Sequence, residues 1–73
     1  MNSMSERKLL VTVQHGPDAY RCELSDRDVH GIECQWSRNG VLLQTRWFTS
    51  ASLAVRSAEE QRRTILAGTA EWA

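Results

Sequence analysis

The side chains in this 73-residue sequence that could do chemistry fall in two places. The first is the pair Cys22 and Cys34. Two thiols can share a zinc ion, close a disulfide, or serve as small apolar side chains. Zinc asks for four ligands at close spacing. This sequence has no CxxC element and no close histidine pair, so His15 or His30 would have to be recruited from a distance. A disulfide needs the two side chains within bridging reach, which only the fold decides. Two buried thiols acting as small hydrophobes is the expected role. The second place is the run Asp26-Arg27-Asp28-Val29-His30, where two carboxylates and an imidazole could bind a divalent ion or move a proton. No nucleophile with a base accompanies Asp26, Asp28 and His30. A solvated loop in which one aspartate closes an Asx turn is the simpler expectation.

No glycine-rich phosphate loop, metalloprotease motif, nucleophile elbow or dinucleotide fingerprint occurs. The sequence therefore assigns no catalytic residue, no metal and no cofactor, and a non-catalytic role is expected. Nine basic residues balance nine acidic ones. That balance argues against a generic nucleic-acid binder, which carries a basic excess. Lys8 is the only lysine among the basic residues. An arginine-rich balance suits recognition of carboxylates or phosphates, but codon usage in a GC-rich genome is the simpler expectation.

These residues must be positioned by something, and the hydrophobic pattern indicates what. Leu9-Leu10-Val11-Thr12-Val13 is a short β-branched run and reads as a strand. His15 to Asp18, with Gly16 and Pro17 at its centre, reads as a turn. Tyr20, Cys22 and Leu24 alternate with Arg21, Glu23 and Ser25 in a half-buried strand. Residues 25–31 form the longest loop. Ile32, Cys34 and Trp36 then alternate with Glu33, Gln35 and Ser37. Asn39-Gly40 is a strong type I′ hairpin signal, and residues 41–47 complete a meander.

Counting outward from the turns gives a register. Val13 should face Tyr20, Val11 face Cys22, and Leu9 face Leu24. In the second hairpin Arg38 should face Val41, Trp36 face Leu43, Cys34 face Thr45, and Ile32 face Trp47. On the other face Gln35 meets Gln44 and Glu33 meets Arg46. Thr12, Arg21, Glu23, Glu33, Gln35, Gln44 and Arg46 would form a polar outer face without aromatic rings, a poor platform for single-stranded nucleic acid. Leu10 and Leu42 would be apolar spots on it. If Leu24 faces Ile32, Cys22 and Cys34 are directly opposite.

A helix follows, capped by Thr49 or Ser50. With Thr49 as the cap, Phe48 and Leu53 would form a hydrophobic staple. Its apolar stripe is Ala51, Ala54, Val55, Ala58, Ile65 and Leu66. Arg62 falls inside that stripe and is expected to snorkel. Gly68 should end the helix. Trp72 in the tail is either core-edge packing or an interface anchor.

The expected fold is thus α+β, a four-stranded antiparallel meander with one C-terminal helix packed on one face (ββββα). Residues 1–6 are expected to be a disordered tail, with 7–73 a single domain. The apolar run at Leu9 is too short for a signal peptide core or a membrane span. The expected compartment is a reducing cytoplasm with both thiols free. The outline of Tyr20 to Leu24, a polar loop ending at Gly31 and a later helix is similar to the HicB type of antitoxin. In that family the helix follows the loop glycine sooner, without the Asn39-Gly40 hairpin, so no functional residue is carried over from it. The functional expectation is a small non-catalytic protein-interaction module that self-associates as a homodimer through an edge strand or an exposed face, with Leu10, Leu42, Arg62 and Trp72 as candidate contacts. The alternative is a nucleic-acid-binding or antitoxin-like regulator using the helix arginines.

Overall fold

The structure, a computed structural model, describes residues 7–72; the tail expected at 1–6 and Ala73 lie outside the described residues. Four strands, β1 (Arg7–His15), β2 (Asp18–Asp26), β3 (Ile32–Arg38) and β4 (Val41–Phe48), precede one helix, α1 (Ala51–Ala67). The strands lie in chain order in one antiparallel sheet, and α1 covers one face of it. This is the ββββα meander that the alternation predicts.

The turns follow their chemistry. Asn39 and Gly40 both take positive φ, 52° and 86°, as a type I′ turn requires. Asn39 also anchors the turn to β2: its Oδ1 accepts the Ala19 N–H and its Nδ2 donates to Asp18 Oδ1, each at 2.9 Å. The first hairpin is tighter than expected. His15 pairs with Asp18, so Gly16-Pro17 alone makes the connection.

The register agrees with the sequence near both turns and departs from it farther out. Val13 pairs with Tyr20 and Val11 with Cys22, but Leu9 pairs with Glu23 instead of Leu24. Between them β1 carries a bulge at Leu10. In the second hairpin Arg38 pairs with Val41 and Ser37 with Leu42; the next pair is Trp36 with Gln44, so β4 bulges at Leu43. An extra residue in one strand rotates everything beyond it to the opposite face. Four expectations change as a result. Leu10 turns to pack against the core instead of standing on the polar face. Trp47 pairs with Glu33 and is half exposed on the open face. Gln44 and Arg46 move to the helix side, opposite Trp36 and Cys34. The expected Glu33–Arg46 pair does not form.

The core lies between the sheet and α1. Val13, Tyr20, Cys22, Cys34 and Trp36 from the sheet meet Ala58 and Ile65 from the helix and Ala70 from the tail. Large rings on the sheet against alanines on the helix allow close approach and dense packing. Each large side chain buried there contributes about 1.5–3 kcal/mol. Ser50, not Thr49, caps α1: its Oγ accepts the Leu53 N–H at 3.3 Å. The cap shift leaves Leu53 exposed, so the staple with Phe48 is not made. Gly68 closes the helix with φ 75°, its N–H bonded to Ile65 O while the Thr69 N–H bonds to Thr64 O. Of the predicted stripe, Ala54, Ala58 and Ile65 are buried. Ala51, Val55 and Leu66 are exposed on one flank.

Candidate functional site

Cys22 and Cys34 come together, though not as directly opposed residues. β2 pairs with β3 so that Leu24 faces Cys34 and Cys22 faces Trp36, leaving the cysteines diagonal to one another. Both are free and fully buried on the helix side, and their Sγ atoms lie 2.9 Å apart. At that distance one thiol donates its S–H to the other. The two sulfurs are not equivalent. Cys22 is held protonated, first by its hydrogen bond with Cys34 and then by burial and the negative charges of Cys34 and Glu23. Cys34 is the readier thiolate, because it accepts that hydrogen bond and lies near Arg46; burial opposes these two effects.

A short tail covers this region. Trp72 stacks on Tyr20 at 6.2 Å between ring centroids and tilts against Trp36 at 5.7 Å. Arg38 Nη1 donates to the Trp72 carbonyl. Trp72, offered by the sequence as an interface anchor or core-edge residue, is thus part-buried on two aromatic rings of its own chain. Beside it lies an open groove of about 210 Å³, lined by Arg46, Gln61, Thr64, Thr69, Ala70, Glu71 and Trp72. Arg46, which stands opposite Cys34 on β4, ties the groove to the thiol pair.

The open face of the sheet holds a second cluster. Glu33 is buried there, although it is a carboxylate on the side without a helix. Its Oε1 accepts Arg27 Nη2 at 3.0 Å and Nε at 3.2 Å, with Arg7 at 3.8 Å, and its Oε2 accepts Gln35 Nε2 at 3.3 Å. Charge-assisted bonds of this kind orient a buried carboxylate and satisfy its oxygens. The contact with Arg27 leaves no signal in the sequence because it depends on the turn between β2 and β3.

That turn contains the predicted polar cluster. Asp28–His30 form a single 3-10 turn. Asp26 Oδ1 accepts the Asp28 N–H at 2.9 Å, which makes an Asx turn, and Asp28 takes φ 55°. Asp26, Asp28 and His30 are exposed, and among the described residues no group of three or more His, Cys, Asp or Glu is placed to hold a metal ion. Gly31 then adopts φ 99°, ψ −158°, and its carbonyl accepts the Arg27 N–H at 2.8 Å. This return swings Arg27 back onto Glu33.

The remaining predicted contact residues scatter. Leu42 is 55% exposed on the open face, and Arg62 is exposed on α1. Leu9 shares that face with Leu42 and Trp47 but does not join them in one patch, since β1 and β4 are its opposite edges and Arg21, Glu23 and Gln35 lie between. On α1, however, Val55 and Leu66 are 40% and 47% exposed on the same flank as Arg62. At 100° per residue that flank points away from Thr64 and the groove. The stripe is visible in the sequence; its exposure is not.

No helix among the described residues is long and apolar enough to cross a membrane. No family model matches the chain, and neither the curated proteins nor the solved structures give a match.

Proposed function

We propose that this chain is a non-catalytic interaction module whose partner is a second copy of itself, docked along the flank of α1 that carries Val55, Glu59, Arg62 and Leu66. The observation that supports this reading is the self-complementarity of that flank. Val55 and Leu66 lie equally far from a midpoint between Glu60 and Gln61, and Glu59 and Arg62 share the same midpoint. Two such helices laid antiparallel about a two-fold axis put Val55 against the partner's Leu66 and Glu59 against the partner's Arg62, twice over. A two-fold interface has this reciprocal form. The half-exposed aliphatic pairs supply apolar area, and the charges fix direction and register. α1 packs mainly over β1, and β1 is an edge strand with one side unpaired. The same approach therefore brings the two exposed edges near each other, which adds reason to associate.

The test is a charge exchange read by light scattering after size exclusion. Glu59→Arg or Arg62→Glu alone places like charges in contact at two symmetric points. Each such point costs about 1 kcal/mol or more, so the two together weaken a dimer at least about tenfold. Glu59→Arg combined with Arg62→Glu restores the pairing and the dimer. A dimer that ignores both single substitutions places the interface elsewhere, the β1 edge being the next candidate.

A further inference from the structure

The buried thiol pair belongs to no part of the proposed interface. Small apolar side chains would fill the space under the rings as well as Cys22 and Cys34 do. What the cysteines add is chemistry: two sulfurs 2.9 Å apart, on adjacent strands, joined by a hydrogen bond. A disulfide has its sulfurs about 2.05 Å apart, so closure needs a movement of less than about 1 Å at the sulfurs. The diagonal placement supplies the offset that side-chain rotation must absorb.

We propose that Cys22 and Cys34 form a dithiol site that exchanges with low-molecular-weight disulfides of the glutathione class, closing a reversible bridge between β2 and β3 under the Trp72 tail. Access is through the tail. Trp72 lies over Tyr20 and Trp36, the residues that flank Cys22 along β2 and across to β3, and the Arg38 bond to its carbonyl holds it there. Lifting this short segment extends the neighbouring groove toward the sulfurs. Arg46, opposite Cys34 and lining that groove, offers a cation to the carboxylates of such a disulfide; Glu71 on the rim leaves the site mixed in charge.

The chemistry proceeds by two exchanges. The Cys34 thiolate attacks one sulfur of the small disulfide, a protein–glutathione bond forms, and one small thiolate leaves. Cys22 then loses its proton and attacks Cys34 Sγ, and the second small thiolate leaves. The protein is oxidised by two electrons, and one small disulfide is reduced to two thiols. Cys34 is the attacking residue because it is the readier thiolate of the two, and Cys22 resolves the mixed disulfide.

The experiment uses the folded full chain with oxidised glutathione as the probe, read by intact mass. The expected product is lighter by two hydrogens, carries no adduct, and returns to the starting mass with a reducing dithiol. Cys22→Ser is expected to stop at a glutathione adduct on Cys34, and Cys34→Ser is expected to react much more slowly. Arg38→Ala, checked to be folded by circular dichroism, loosens the tail and should speed bridge formation several-fold. The wild-type rate should also exceed the global unfolding rate measured in the same buffer. A stable adduct on the wild-type protein, or a rate equal to that of global unfolding, would overturn the site. Adduct formation in Cys34→Ser as fast as in Cys22→Ser would overturn the order of attack.

Discussion

Replacing Gly31 by alanine should be among the most damaging single-methyl additions this chain can receive. At φ 99°, ψ −158° the backbone occupies a region almost confined to glycine, and a side chain there costs about 1–3 kcal/mol. The added Cβ would also lie 2.6 Å from the Phe48 carbonyl oxygen. That oxygen is backbone at the end of β4, so either the strand or the turn must move. Moving the turn strains the bond from the Arg27 N–H to the Gly31 carbonyl, and with it the reach of Arg27 to Glu33. Leaving a buried acceptor poorly satisfied adds about 1–3 kcal/mol. The total, about 3–4 kcal/mol, is most of the roughly 5 kcal/mol expected for a domain of this size. With a urea slope of about 1 kcal/mol/M, the unfolding midpoint should fall by about 3–4 M. Gly40→Ala is the control: φ is 86° and nothing lies within 4 Å of the new methyl, so only the conformational cost of about 1 kcal/mol remains. Urea unfolding followed by tryptophan fluorescence compares the two. Midpoints for the two variants within about 0.5 M of each other would refute the assigned contact between the turn and β4.

Other expectations can be checked as directly. Ser50→Ala removes the side-chain cap of α1 and should cost about 1 kcal/mol, lowering the melting temperature by about 4–8 °C, whereas Thr49→Ala should do little. Alkaline stability should depend on Cys22. In the folded chain its hydrogen bond with Cys34 and its burial hold its proton, whereas the unfolded chain releases it near 9.0. The folded state then binds more protons, and the stability present below pH 9 is lost above it at about 1.4 kcal/mol per pH unit. Cys34 acts in the opposite sense below pH 9, because its lowered value makes stability rise as it ionises. Cys22→Ala should remove the loss between about pH 9 and 10 in denaturant titrations. Duplex and single-stranded nucleic acids should bind weakly or not at all at low salt, since Glu59 and Glu60 offset Arg56, Arg62 and Arg63 on α1; tight binding with a steep salt dependence would favour the regulator reading instead.

The sequence carried the meander, both hairpins and the inward set of Val13, Tyr20, Cys22, Cys34 and Trp36, because period-two alternation and the Asn39-Gly40 turn are local signals. It did not carry the bulges. Each one falls within an apolar run, Leu9-Leu10-Val11 or Val41-Leu42-Leu43, where alternation is silent and an extra residue leaves no mark. Alternation counted from the turns therefore places everything beyond each bulge, including Leu9, Trp47 and Arg46, on the wrong face. The partnership of Glu33 with Arg27 was illegible for a different reason. It depends on a glycine-only conformation at Gly31, and a glycine in a polar loop predicts a turn without predicting where the turn aims its neighbours. The alternation brings the two thiols close only through an opposed pairing; the observed pairing is two residues displaced and reaches the contact on the diagonal.

In the proposed function, one copy of this chain recognises another through α1. The most direct test is the molar mass of the wild-type protein in solution, measured by light scattering across a concentration series. A dimer through α1 gives about twice the 8.3 kDa chain mass at high concentration, falling toward the single-chain value on dilution or in the Glu59→Arg variant. A mass that stays at 8.3 kDa at the highest concentration attainable would contradict it.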